Sequence, residues 1–309
     1  MLELNKVYKM DNLELLNKLP NNYIDLIYCN ILFNTGKKFK DYNDNLGTPQ
    51  EAIEWYRPRI LEMYRVLKDT GSIYLHMDYR LVHYMKVLMD EVFGFDCFLN
   101  DICWKRSTST GGKTKSKMFP RNYDSILVYK KGKQWTYNKS YVPYTQDYID
   151  KFYNHIDDNE RRYSSQTLGD YSEESISKFE QEGRIILTRN GVKRLKYYLD
   201  EQKGLLIDDV WIDIKNVRQE QVKNIYKKDK NTKIEYDTQK PKALLERIIK
   251  ASSNKGDIIL DLFCGSGTTM VVAKELGRRY IGCDISERAI EITEKRLSDV
   301  DGKVSECVC

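Results

Sequence analysis

No stretch of this 309-residue sequence is apolar for the roughly 20 residues that a bilayer-spanning helix requires. Met1-Leu2-Glu3 opens no signal peptide, so the expectation is a cytoplasmic protein with no membrane partner. Cysteine supplies no framework either. The seven cysteines are an odd number at scattered positions without paired metal-ligand spacing, which argues against a disulfide scaffold and against a metal site. Cys29, Cys97, Cys103, Cys264 and Cys283 lie in or beside apolar runs and read as reduced core residues, while Cys307 and Cys309 close a polar tail. A repeat of fixed period is also missing, which excludes a solenoid or propeller. Charge of one sign is hardly in excess: 51 basic against 46 acidic residues leave +5, so a polyanion would have to be held by local patches. At this length the chain can bury a full core, and one large domain carrying an insertion is expected.

What is present is concentrated near the C-terminal end. Ile258 to Phe263 is a short, β-branched-rich apolar run bounded by Gly256 and Gly265, the pattern of a buried strand. Gly265 and Gly267 permit a tight turn and a close backbone approach by a ligand. Thr268 to Leu276 then reads as a helix closed by Gly277, and Tyr280 to Cys283 as a second strand ending on Asp284. Strand, glycine turn, helix, strand, acid is a nucleotide-binding βαβ unit. Asp284 follows Gly265 at about the 20-residue spacing that places a carboxylate on a ribose hydroxyl. The loop lacks the lysine of a phosphate-gripping loop, so it suits a nucleoside without a pyrophosphate.

Asp261-Leu262-Phe263-Cys264-Gly265-Ser266-Gly267-Thr268 is similar to the Phe-x-Gly-x-Gly cofactor motif of S-adenosylmethionine-dependent DNA amino-methyltransferases. Thr238-Gln239-Lys240-Pro241 resembles the Thr-x-Lys-Pro that these chains carry before that motif, and Gly71–Asp78 and Trp104-Lys105-Arg106 match further. A catalytic loop first, a basic insertion second and the cofactor motif last is the order of the β group, which includes type III modification subunits and cell-cycle-type adenine methylases. The resemblance covers both ends of the chain and not its middle. It implies S-adenosylmethionine bound by Asp261, Phe263, Gly265, Gly267, Thr268 and Asp284, with Lys240 and Pro241 shaping the methionine side of the pocket. It also implies double-stranded DNA as substrate, a homodimer or a restriction-modification partner subunit, and a bacterial or phage-type, nucleoid-associated setting.

Ile24 to Cys29 is a buried-strand candidate, Glu51 to Leu67 a helix interrupted by Pro58, Ser72 to Met77 a strand, and Arg80 to Val92 a helix. Strand–helix–strand–helix therefore occurs in both halves, which suits a doubly wound, mostly parallel sheet. With the resemblance this becomes a Rossmann-like methyltransferase with an inserted DNA-recognition subdomain. The expected divisions are a catalytic half with a basic DNA-facing loop at 1–134, a target-recognition insertion at 135–231, a cofactor half at 232–300 and a tail at 301–309. Asp157 to Glu182 is polar and alternately charged, and its internal fold is not legible. Lys105, Arg106, Lys113, Lys115, Lys117 and Arg121, with Lys130, Lys131 and Lys133, are opposed only by Asp124. Together with the small residues Ser107 to Gly112, they form the expected contact with a phosphate backbone.

Where the family keeps Asp-Pro-Pro-Tyr, this chain has Asn30-Ile31-Leu32-Phe33, with matching flanks on both sides. An exocyclic amino group of adenine or cytosine is a poor nucleophile, because its lone pair is delocalised into the ring. A side-chain oxygen and a backbone carbonyl that accept its two hydrogens favour a pyramidal nitrogen, and an aromatic ring stacks on the base once it is flipped from the duplex. Asn30, the Ile31 carbonyl and Phe33 can fill those roles. Losing two proline rings predicts a looser loop, at about 0.4–1 kcal/mol per site, and so a weakened but surviving transfer. Two other readings stay open: a Cys29 or Cys103 thiolate serving methylation at carbon 5 of cytosine, or a catalytically inactive DNA-binding partner of an active subunit. His76 and Asp78 are expected to border the cleft at a strand end.

Overall fold

Strands buried on both faces need cover on both sides, and the elements of this chain supply it. The computed structural model describes residues 2–39, 41–107, 117–217 and 238–306. It opens with β1 (Lys6–Lys9), α1 (Asn12–Asn17), β2 (Ile24–Asn30) and a small hairpin of β3 (Lys37–Lys38) and β4 (Asn43–Asp44). Then come α2 (Pro49–Val66), β5 (Leu67–Met77), α3 (Val82–Phe93), β6 (Phe98–Lys105) and β7 (Tyr123–Lys130). A second unit, Lys139–Ile207, holds β8 (Tyr141–Val142), α4 (Gln146–Phe152), β9 (His155–Ile156), β10 (Arg162–Thr167), α5 (Glu173–Gln181), β11 (Ile185–Leu187), β12 (Lys193–Tyr198) and β13 (Leu205–Leu206). The core resumes with β14 (Val210–Trp211), α6 (Lys242–Ser252), β15 (Ile258–Asp261), α7 (Thr268–Glu275), β16 (Arg279–Asp284) and α8 (Glu287–Glu306).

The core sheet runs β1-β16-β15-β2-β5-β7-β6-β14. Its first five strands are mutually parallel, and β7 is antiparallel to both β5 and β6. Alternation along β2 and β5 decides which helices cover which face. Ile27, Cys29, Ile73 and Leu75 join Leu15, Leu16, Tyr56, Ile60, Met63, Met85 and Met89 from α1, α2 and α3 in one buried cluster. Tyr74 points the other way, and its hydroxyl meets Ser252 Oγ of α6 at 2.7 Å. On that side Leu244, Leu245, Ile248 and Ile249 of α6 and Met270 to Ala273 of α7 are buried.

Pro58 does not interrupt its helix as expected: α2 runs continuously for 18 residues through it. A proline removes one backbone donor and crowds the preceding turn. Here Tyr56, Arg59, Ile60 and Met63 are buried around it and hold the helix in place. Thr48 also starts α2 with a capping box to Glu51.

The span expected as an insertion divides in the structure. Lys139–Ile207 is a unit of its own, with an antiparallel sheet β11-β12-β10-β9 and a β8–β13 pair at its base. The Ile207 amide donates to the Ser140 carbonyl at 3.1 Å, so this unit enters and leaves through one neck. Val210–Trp211 instead belongs to the core, paired in parallel with β6. Residues 218–231 lie outside the described residues.

Candidate active site at the carboxyl edge of the sheet

β2 and β15, more than two hundred residues apart in sequence, are parallel neighbours with Leu26 opposite Ile259 and Ile27 opposite Leu260. Their carboxyl ends therefore lie side by side, at the point in an open sheet where a crevice forms. One cavity opens there. Asn30, Ile31, Leu32 and Phe33 line it from β2, Asp261, Phe263, Gly265, Ser266 and Thr268 from β15 and the glycine turn, Asp284 from β16, and Lys240 from the segment before α6. Gly267 and Pro241 are not part of its wall.

The glycine turn is fixed by the two acids. The Gly265 amide donates to Asp284 Oδ2 at 2.9 Å, and the Ser286 amide to Oδ1 at 2.9 Å. Asp261 accepts from the Phe263 amide at 3.0 Å and from the Thr269 hydroxyl at 2.5 Å. Gly267 has a left-handed φ of 71°, and a Cβ there would stand 2.2 Å from Thr293 Cγ2 of α8. Its glycine is thus required by packing behind the turn. Burial pushes the Asp261 carboxyl up to about 7 and raises Asp284 as well. Among the described residues neither carboxylate has a lysine or arginine ion-pair partner. Two under-compensated carboxylates fit a ligand that brings hydroxyl donors and positive charge, such as a ribose beside a sulfonium, and not a phosphate. The donor set matches the cofactor expected from the sequence.

On the other wall the expectation of a loose loop is overturned. The Ile31 amide donates to the His76 carbonyl at 3.2 Å, a bond that a proline in its place could not make. The Tyr56 hydroxyl donates to the Leu32 carbonyl at 3.0 Å. Asn34, at a left-handed φ of 54°, bonds on both sides, accepting from the Leu46 amide and donating to the Gly47 carbonyl, each at 2.8 Å. The buried Asp44 carboxylate accepts from the Asn34 and Thr35 amides at 3.0 and 3.1 Å. Hydrogen bonds here do what proline rings do by covalent constraint. Asn30 Oδ1 is buried with no hydrogen-bond partner, and Phe33 sits beside it on the cavity wall. Ile31 is 2% exposed, packs in the core cluster and contributes to the cavity wall beside Asn30.

Behind Phe33 runs a buried polar chain. The Tyr28 hydroxyl lies 2.9 Å from His76 Nδ1, His76 Nε2 lies 3.3 Å from Asp124 Oδ2, and Arg106 Nε donates to Asp124 Oδ1 at 2.7 Å. Burial lowers His76 to about 4, so its ring is neutral at pH 7. Burial works against the Asp124 carboxylate, but His76 and Arg106 hold it below the ordinary range. An ionised carboxylate only accepts, so the imidazole proton sits on Nε2 and Nδ1 accepts from Tyr28. Asp78, raised by burial, pairs with Arg80 nearby.

Of the basic residues read from the sequence, Lys105, Lys117 and Arg121 are exposed, and Arg121 covers the Tyr79 ring at 3.9 Å. Arg106 turns inward to Asp124, and Lys131 donates to the Leu67 carbonyl at 2.7 Å. Lys113 and Lys115 lie outside the described residues. The thiolate reading finds no support. Cys29 is fully buried with its thiol pushed well up by burial, Cys103 is raised by the same cause, and neither lines the cavity. Trp55, Tyr42 and Ile285 line the cavity but were not singled out from the sequence. For Ile285, 63% exposed beside Asp284, the signal was its place after the acid.

The model of the DNA methylase family N6_N4_Mtase matches residues 24–295 of the chain. The type II methyltransferase M.HpaI of Haemophilus parainfluenzae is 30% identical over 282 residues, covering 91% of this chain and 70% of its own length. M.EcaI of Enterobacter cloacae, also a type II methyltransferase, is 29% identical over 320 residues, covering 93% of this chain and 68% of its own. Among solved structures, the M1.HpyAVI–SAM complex superposes with a TM-score of 0.53 at 18% identity, covering 94% of this chain and 98% of that one, a likeness of fold.

Proposed function

This chain belongs to the N6_N4_Mtase family of DNA methylases, and we propose on that footing that Asn30, Ile31 and Phe33 hold a flipped base whose amino group takes the methyl. The protein is an S-adenosylmethionine-dependent DNA amino-methyltransferase. The cofactor supplies a methyl group on a positively charged sulfur.

The observation that carries the assignment is the buried, unpartnered Asn30 Oδ1 on the wall of the cavity that Asp261 and Asp284 share. An amide oxygen accepts one amino hydrogen, and the Ile31 carbonyl, which no described donor reaches, accepts the other. Phe33 provides a ring for the base to stack on. With the loop already held by hydrogen bonds, the amino nitrogen is oriented before reaction, which is where rate is gained. Asp284 is assigned to the ribose hydroxyls. Asp261 and Thr268 shape the turn and its negative potential, Phe263 and Gly265 form the wall beside the nucleoside, and Gly267 holds that wall from behind. Exposed Lys105, Lys117 and Arg121, with Lys113 and Lys115, are assigned to DNA phosphates, and Lys139–Ile207 to reading the target. The substrate argues for a place at the nucleoid, and a restriction partner or a second copy would act through surfaces outside the cavity.

Asn30→Ala and Phe33→Ala are each expected to lower the single-turnover methylation rate by about 10- to 100-fold, with cofactor affinity within about threefold of the parent. Equal loss of cofactor binding in either variant would move that residue to the cofactor's side of the cavity.

A further inference from the structure

Transfer to an amino group leaves one proton too many on nitrogen, and Asn30 cannot take it. An amide oxygen accepts a hydrogen bond but is not a base. The family's aspartate would bring a carboxylate to this position, and this chain has none there. A lysine lines the cavity close to Phe33. Lys240 lines the same wall, with Nζ 5.6 Å from the Phe33 ring centroid. Its one hydrogen bond among the described residues is a long one, 3.4 Å to the Thr238 carbonyl, and no described carboxylate is within ion-pair distance.

We propose that Lys240 is the proton acceptor of the reaction, replacing in function the carboxylate that Asn30 lacks. The inference rests on the proposed function. The amino lone pair forms the new N–CH3 bond while the S–CH3 bond breaks with its electron pair to sulfur. The nitrogen, now cationic, gives one N–H proton to the neutral Lys240 amine, leaving a neutral N-methylamino base and a Lys240 ammonium that later returns the proton to solvent. Asn30 keeps its hydrogen bond to one amino hydrogen, and the hydrogen that the Ile31 carbonyl orients before reaction is the one that passes to Lys240 once the nitrogen is cationic.

The surroundings agree. Burial lowers Lys240 to about 8, and Asp124 and Asp261 oppose that shift while Arg106 adds to it. His76, the other titratable neighbour, is neutral and leaves the balance unchanged. A lysine in such a site is available as a base at mildly alkaline pH, which an exposed lysine is not. The competing role, a grip on the cofactor's methionine carboxylate, needs the same residue but the opposite protonation state.

The test compares the full-length protein with Lys240→Met, Asn30→Asp and the double variant. Single-turnover methylation of DNA is followed from pH 6.5 to 9.5, cofactor affinity by calorimetry, and the lysine signal of the unliganded protein by NMR. For the parent the rate is expected to rise with pH and level off above a midpoint near 8, and one lysine signal absent from Lys240→Met should titrate there. Lys240→Met should lose the rise and about 10²-fold in rate, with cofactor affinity within about threefold. Adding Asn30→Asp to Lys240→Met should recover tenfold or more, because the new carboxylate takes the proton. A pH rise that persists in Lys240→Met, a loss unrelieved by Asn30→Asp, or a collapse of cofactor binding with an unchanged saturated rate would each overturn the assignment. A parent protein that binds cofactor and DNA but methylates no amino group would overturn the proposed function and this inference with it.

Discussion

Replacing Asp284 by alanine removes the acceptor assigned to the ribose and frees the Gly265 and Ser286 amides. Cofactor affinity should fall tenfold or more by calorimetry, about 1.4 kcal/mol; an unchanged affinity refutes the ribose assignment. His76 gives a pH prediction whose sign follows from its direction of shift. Its folded value, about 4, is below the unfolded 6.5. Between those values the unfolded chain holds the extra proton, so this group's contribution is complete above pH 6.5 and is lost as pH falls toward 4. Its imidazole resonances should therefore stay fixed from pH 8 to 5, and a midpoint above 6 would contradict its burial between Tyr28 and Asp124. Asp284 and Asn30 could be picked out of the sequence because each ends an apolar strand. The environment of Lys240 could not, since Asp124 and Arg106 stand more than a hundred residues before it and reach it only through the fold of β6 and β7.

The segment after β2 shows how an element can be rigid by a route that composition hides. Two missing prolines predict mobility, yet Asn34, Asp44, Tyr56 and the His76 carbonyl tie down successive backbone groups. Asn34→Ala loses two hydrogen bonds and leaves at a left-handed φ a residue that tolerates it less well than asparagine does. It should destabilise by about 1–3 kcal/mol in urea unfolding and slow methylation by tenfold or more, whereas Asn34→Gly, which accepts that φ, should cost less. Equal losses would mean that the bonds alone matter. The long apolar strands were legible because each is buried on both faces. α5 was not: Ile176 and Phe179 are its only apolar residues, none of its residues is buried, and only the Ser172 cap with Glu173 and Glu174 marks its start. The helix through Pro58 is hidden from the sequence for a related reason, because the packing that holds it is tertiary.

At the level of the whole molecule, the order of motifs along the chain foretold the sheet, since a crossover between sequence-distant halves is what sets β2 beside β15. The extent of the second unit was not foretold, because its neck pairs Ser140 with Ile207 across a stretch with no repeated pattern. That neck allows a clean excision. Joining Asn138 to Asp208 by a short glycine-rich linker should leave a folded core that binds cofactor with the parent's affinity but has lost sequence preference on DNA; a core that fails to bind cofactor would show that the unit supports the site. Changing Lys113, Lys115 and Lys117 to alanine should lower DNA affinity and reduce the salt slope by about 0.9 for each phosphate no longer neutralised, and an unchanged slope would remove them from the interface. The most direct measurement incubates the protein with duplex DNA and methyl-labelled cofactor, digests to nucleosides and identifies the labelled product by mass and retention. N6-methyldeoxyadenosine or N4-methyldeoxycytidine is the predicted result; 5-methyldeoxycytidine, or no product from a protein that binds both ligands, would contradict it.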